Sequence, residues 1–221
     1  MDGLLLVNKP VGITSFDVIR RLRRSTDVRK IGHAGTLDPA ASGLMLMLFG
    51  AGCKQAMSLT KLDKRYVAEI RLGANSSTGD VEGEILPVSD RVPTLAQVEA
   101  ALVQLTGEIT QVPSVYSAIK INGREAYKRV RAGEQVEIPA RQVMVYENRL
   151  VKYDYPRLEI NAKVSSGTYI RTLAEDLGKM LGTGAYLTGL VRIEVGDYHL
   201  EDAVELEAAD TAMVTARMMN I

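Results

Sequence analysis

The stretch Gly32-His33-Ala34-Gly35-Thr36-Leu37-Asp38-Pro39-Ala40-Ala41-Ser42-Gly43 sets the strongest constraint on the fold. A carboxylate lies between a glycine-rich turn and a proline. Gly32 and Gly35 admit backbone angles with φ > 0 that other residues resist. Pro39 drives Asp38 toward extended conformations. The apolar run Leu44 to Phe49 follows at once. It is too short to span a bilayer and suits a buried strand. Asp38 is therefore expected on a rigid loop at the mouth of a core strand, where catalytic groups are often held. Either it carries chemistry there or it only shapes a turn, since Asp and Gly are common in turns.

The rest of the chain divides into alternating and helical patterns. Gly3 to Val7 reads as a short buried strand and Asn8 to Gly12 as a turn. Thr14 and Asp17 have the spacing of a capping box. A helix should run from there to about Arg24, with Val18, Ile19 and Leu22 inward. Gly50-Ala51-Gly52-Cys53-Lys54 lacks both the third glycine of a dinucleotide fingerprint and the Gly-Lys-Ser/Thr of a P-loop. It reads as a turn opening a helix to about Leu62. Lys64 to Leu72 alternates, with Tyr66, Ala68, Ile70 and Leu72 on one face. Ser76 to Gly83 is a polar turn. Its Asp80 and Glu82 are only a weak hint of magnesium.

Thr94 and Gln97 repeat the capping-box spacing and predict a helix from Leu95 to Thr106, stopped by Gly107. Asn122-Gly123 marks a tight turn, and Glu125 to Ala132 reads as a short basic helix. Arg141–Tyr153 and Arg157–Ser165 read as paired strands. Thr168 is placed to cap a helix to Leu181, with Ile170, Leu173, Leu177 and Leu181 inward and Gly182 ending it. Arg171 falls in the first turn of that helix, where the dipole disfavours a cation. An anionic partner is expected beside it.

Composition narrows the classes. The single Cys53 excludes an internal disulfide and a multi-Cys zinc site, and two histidines offer little to a transition metal. No signal stretch opens the sequence and no long apolar run occurs. A cytoplasmic protein, without a membrane association, is the expectation. Net charge is zero, but the last 21 residues hold five acids and one base, which leaves four surplus bases over residues 1–200. Arg20, Arg21, Arg23, Arg24, Arg29 and Lys30 form one basic group; Lys120, Arg124, Lys128, Arg129 and Arg131 form another. Such patches either contact phosphates or are solvated faces.

Gly32-His33-Ala34-Gly35-Thr36-Leu37-Asp38-Pro39 resembles the catalytic motif of the TruB family of tRNA pseudouridine synthases. Four more stretches are similar to family motifs, in family order. These are Leu4 to Ser15, Lys64-Arg65-Tyr66-Val67-Ala68, Val164 to Arg171, with Val164-Ser165-Ser166 where the family usually has Cys-Ser-Lys or similar, and Gly184 to Ile193. The resemblance implies an α+β fold: a mixed, mostly antiparallel sheet flanked by helices, with the active site in a central cleft. It implies isomerisation of a uridine at position 55, in the T arm of tRNA, to pseudouridine, with no redox cofactor.

By the same resemblance Asp38 is the catalytic aspartate, Arg171 its cationic partner and Tyr66 the residue set against the base. His33 would fill the stack vacated by the flipped base, or be a plain turn residue. Lys9 would support the active-site walls, or be solvated. Tyr169 and Leu190 would line the pocket. Residues 112–140 correspond to an RNA-gripping insertion, to which Lys120, Arg124 and Lys128 belong. Residues 1–200 are then the catalytic domain and 201–221 a short acidic tail in place of the C-terminal RNA-binding domain of longer relatives. A monomer is expected. Where the family usually has paired arginines, this chain has Val191-Arg192. Two other classes remain open: a tRNA-folding chaperone without essential catalysis, and a metal-dependent hydrolase using Asp38, His33, Asp80 and Glu82.

Overall fold

The structure, a computed structural model, describes residues 1–113, 120–121, 124–125, 129, 134 and 136–221. The chain forms two units. One comprises Met1–Val67 and Gly189–Ile221, the other Ala68–Thr188. Strands β4 (Lys64–Leu72) and β12 (Ala185–Val195) each contribute residues to both.

The first unit is built on β1 (Gly3–Lys9) and β3 (Ser42–Phe49), paired antiparallel along their whole length from Gly3↔Phe49 to Lys9↔Gly43. Leu44 to Phe49 are all 0% exposed, so β3 is buried on both faces, as its unbroken apolar run requires. β14 (Val204–Glu205) lies parallel to β1 on its other side. The free edge of β3 takes β2 (Ile31–His33) antiparallel at one end and β12 parallel at the other, through Val191↔Ser42 and Arg192↔Gly43. β13 (Tyr198–His199) closes back on β12. Parallel and antiparallel pairs thus make a mixed sheet.

Helix α1 (Ser15–Thr26) starts at the expected capping box. Thr14 accepts from the Asp17 amide, Asp17 accepts from the Thr14 amide, and Val18, Ile19 and Leu22 are buried. Arg20, Arg21, Arg23, Arg24, Arg29 and Lys30 all lie on the surface. Residues after 200 are integrated with this unit rather than hanging from it. Arg21 pairs with Glu207, and the Thr211 hydroxyl donates to the Ser25 carbonyl. Two hairpin-like bonds join Leu4 and Met219. Residues Gly50–Gln55 form a 3-10 turn leading into α2 (Ala56–Thr60), so the helix expected to reach Leu62 is shorter and starts later.

In the second unit the strand order is β4, β11 (Arg157–Val164), β10 (Arg141–Asp154) and β7 (Gly107–Gln111), with β10 antiparallel to both neighbours. Lys64, Tyr66, Ala68, Ile70 and Leu72 are the buried positions of β4, matching the alternation read from sequence. A small hairpin joins β5 (Ala74–Ser76) and β6 (Ile85–Pro87). A second joins β8 (Lys120–Ile121) and β9 (Arg124–Glu125); its turn at Asn122-Gly123 lies outside the described residues. Glu125 stands in a strand where a helix was expected, and Lys128 with most of the remaining expected helix lies outside the described residues.

Helix α3 (Leu95–Gln104) has its Thr94–Gln97 capping box. Helix α4 (Ile170–Leu181) buries Ile170, Leu173, Leu177 and Leu181 and ends at Gly182, φ 68°. Its cap departs from the sequence expectation. Tyr169, not Thr168, occupies the N-cap position and gives no side-chain bond. The fully buried Gln111 does that work, accepting from the Tyr169 amide at 3.0 Å and donating to its carbonyl at 3.2 Å. The last helix, α5 (Thr211–Arg217), is capped by Asp210.

Gly178, buried in α4, offers a test of this packing. In a helix interior glycine is normally worse than alanine by roughly 0.5–1 kcal/mol. Here an added Cβ would overlap the backbone of Gly184 and Ala185. Gly178→Ala is therefore expected to destabilise the protein by about 1–3 kcal/mol in urea unfolding. A gain in stability would show that the close approach does not exist.

Candidate active site

Asp38 sits in the loop of residues 34–41 between β2 and β3, partly exposed. The loop is fixed at both ends by the core. Ala34 is buried in the cluster of Leu4, Leu6, Leu44, Leu46, Leu48 and Val195, and its amide donates to the Leu46 carbonyl. Ala41 and Leu37 are buried as well.

Between these anchors each successive carbonyl from Gly35 to Pro39 has a donor. Arg192 donates to Gly35 at 3.1 Å and to Thr36 at 3.3 Å. The Ser15 hydroxyl donates to the Leu37 carbonyl and accepts from the Leu37 amide, both at 2.9 Å. The Ala41 amide donates to the Asp38 carbonyl and the Gly12 amide to the Pro39 carbonyl. Lys9 makes a longer contact to Pro39 at 3.5 Å. These bonds hold the stretch of main chain that carries the Asp38 side chain.

Lys9 is not a solvated lysine. It is 0% exposed, on a strand that runs two residues further than expected. Its ammonium donates to the carbonyls of Pro10 at 2.9 Å and Ile13 at 2.8 Å. Burial lowers its pKa to about 8, against the opposing pull of the Asp38 carboxylate. Lys64 is a second buried cation, donating to the Thr60 and Leu62 carbonyls, and burial likewise lowers it to about 8. Arg192 is the third, 1% exposed, and also donates to the Leu44 carbonyl at 2.8 Å.

Tyr66 is buried on β4 at 9% exposure, and Leu190 is half-buried on β12. His33 lies on β2, opposite Met47, rather than in a turn. Its Nδ1 is buried without a hydrogen-bond partner, and burial, helped by Arg192, holds its pKa down.

The second unit carries the other residues expected from sequence. Arg171, 7% exposed in the first turn of α4, has the anion its position demanded: Asp80, at 3.1 Å. Its guanidinium also donates to the Thr78 carbonyl at 3.0 Å. Asp80 Oδ1 accepts from the Thr78 hydroxyl at 2.6 Å and the Glu82 amide at 3.1 Å. Asp80 is thus the buried mate of an arginine, a role unforeseen in the sequence, where it was weighed as a metal ligand. Among the described residues no group of three or more His, Cys, Asp or Glu side chains is placed to hold a metal ion. Tyr169 lies under the Arg141 guanidinium, 4.7 Å from its ring centre. Lys120 and Arg124 are described only as backbone of the β8–β9 hairpin.

Two outcomes follow from this electrostatics. A lysine with a folded pKa of about 8 is neutral above that pH in the fold, yet charged up to about 10.5 when unfolded. The unfolded chain binds more protons in this window, so the Lys9 contribution to stability rises with pH. Urea unfolding from about pH 8 to 10 should show wild type gaining on Lys9→Met by at most about 1.4 kcal/mol per pH unit; a constant difference would contradict a buried, titrating Lys9. For the buried pair, Asp80→Asn and Arg171→Ala should each cost roughly 3–5 kcal/mol and the double variant clearly less than their sum. Additive losses would mean the two side chains do not interact.

Comparisons with known proteins agree with this architecture. A family model described as the TruB family pseudouridylate synthase N-terminal domain matches residues 23–170. A second, the tRNA pseudouridylate synthase B C-terminal domain, matches residues 171–219. The tRNA pseudouridine synthase B of Burkholderia pseudomallei (strain 668) is 47% identical over 212 residues, covering 96% of this chain and 70% of its own. That of Leifsonia xyli subsp. xyli (strain CTCB07) is 46% identical, covering 96% and 72%. Among solved structures, a chain of a Cbf5-Nop10-Gar1 complex superposes with a TM-score of 0.72 at 25% identity. It covers 93% of this chain, which spans only about half (52%) of that one. With its Asp38 loop, mixed sheet and these matches over nearly its whole length, the chain belongs to the TruB family of pseudouridylate synthases.

Proposed function

We propose that this protein converts a uridine in the T arm of tRNA, at position 55, to pseudouridine, with Asp38 as nucleophile. The observation that carries the reading is the Asp38 loop: a family motif whose carboxylate stands on a main chain bonded at every carbonyl from Gly35 to Pro39. Two relatives named tRNA pseudouridine synthase B support tRNA as the substrate.

The reaction is an isomerisation. The C1′–N1 glycosidic bond breaks, the uracil turns, and a C1′–C5 bond forms, while the proton on C5 is lost and N1 gains one. Atoms and electrons balance within the nucleotide. Asp38 attacks the sugar or the base, or initiates elimination, as a preformed carboxylate. In this reading Arg171, which also pairs with Asp80, is the cationic partner of Asp38, Tyr66 stacks on the detached ring, and Tyr169 and Leu190 line the pocket. The target nucleotide must first leave its stack, at a cost of a few kcal/mol, and His33 fills the space. Lys120, Arg124 and Lys128, within the insertion at about 112–140, hold the RNA stem. Residues 1–200 carry the catalytic domain, and the protein works as a cytoplasmic monomer.

Asp38→Asn keeps the shape of the side chain and removes its charge. It is expected to abolish pseudouridine formation in an unmodified tRNA transcript while gel-shift affinity and melting temperature stay near wild type. Turnover close to the wild-type rate would overturn the assignment.

A further inference from the structure

We infer that Ser15 and Arg192 are positioning residues for the reaction, holding Asp38 in place through the main chain rather than touching substrate. The inference rests on the reading of Asp38 as the catalytic carboxylate given above.

Ser15 is the first residue of α1, yet its hydroxyl is not used by the helix, because Thr14 already caps it. The hydroxyl is instead engaged twice by Leu37, the residue immediately before Asp38. It is donor to the carbonyl and acceptor to the amide at once, which fixes the peptide planes on both sides of Leu37. Only a small side chain with a hydroxyl can do this in a space where Ser15 is 3% exposed.

Arg192 acts one step upstream. Its guanidinium fork spans the Gly35 and Thr36 carbonyls while its Nε holds the Leu44 carbonyl of β3. One side chain thereby links the loop to the core strand that follows it. The local backbone is shaped around this residue. A Cβ on Gly35, φ 102°, would stand 3.4 Å from the guanidinium, and one on Gly43, φ 106°, would overlap the Arg192 main chain. With every fork contact going to a carbonyl and 1% exposure, Arg192 has no surface to offer a phosphate. In sequence it stands where the family usually has paired arginines; the geometry assigns it to the loop.

Both side chains therefore act on the placement of one carboxylate, and errors of about 1 Å in such a group can cost about 100-fold in rate. The test is single-turnover pseudouridine formation at saturating enzyme on a T-arm stem-loop RNA, with RNA affinity measured separately by filter binding and folding by thermal melting. For Ser15→Ala and Arg192→Lys the rate is expected to fall about 10- to 100-fold while the RNA dissociation constant stays within about twofold. Ser15→Ala is the variant that keeps the test open if Arg192→Lys melts early, since it removes one oxygen. A wild-type rate in Ser15→Ala overturns the clamp alone. So does an Arg192→Lys variant that loses affinity at an unchanged rate, which would make Arg192 an RNA contact. A wild-type protein that forms no pseudouridine in this RNA overturns the reading of Asp38, and the clamp's role with it.

Discussion

The grip of a buried guanidinium on main-chain carbonyls is the interaction on which the site depends. Arg192 needs partners because a charge taken out of water without hydrogen bonds is prohibitively costly. The Gly35 and Thr36 carbonyls need donors because the loop there leaves regular pairing while still close to the core, and the Leu44 carbonyl of β3 takes the Nε of the same guanidinium. Each deficit satisfies the other. The loop that results is irregular in shape but bonded at each carbonyl from Gly35 to Pro39.

The same solution recurs among the buried cations of the first unit. Lys9 serves the Pro10 and Ile13 carbonyls, and Lys64 serves those of Thr60 and Leu62. In the second unit the buried cation Arg171 uses a carboxylate, Asp80, together with the Thr78 carbonyl. That pair ties the 76–83 turn to the start of α4. Breaking such a pair strands a charge, which is why one partner alone is worse than neither.

Much of the fold was legible because it follows from periodicity and capping. The two capping boxes at Thr14 and Thr94, the alternation of β4, the double burial of β3 and the Gly182 stop all leave a pattern within a few residues of sequence. What was not legible depends on partners distant in sequence. Lys9 is the exception: the carbonyls of Pro10 and Ile13 that close on it are one and four residues away, and it was its burial, open between wall support and solvation, that was not legible. Gln111 caps a helix 58 residues away, so Thr168, which has the right chemistry for a cap, is left to pair with Ser165. Asp80 looked like half of a metal site because its mate, Arg171, is 91 positions later. For Arg171 the need for an anion could be read from its place at a helix N-terminus, and Asp80 meets that need. Ser15 gave no signal, since a serine beside a threonine cap is ordinary. Arg192 gave none either, because nothing around it in the sequence marks it as a residue that holds main-chain carbonyls.

The central claim is that the Asp38 loop is held as firmly as the strand it precedes, although it has no regular structure. Native-state hydrogen exchange at the Leu37 amide tests it directly, since that proton is bonded to the Ser15 hydroxyl. If the loop is clamped, the Leu37 amide should exchange as slowly as the β3 amides, through large-scale unfolding. Exchange at the rate of an open surface loop, while β3 stays protected, would contradict the account.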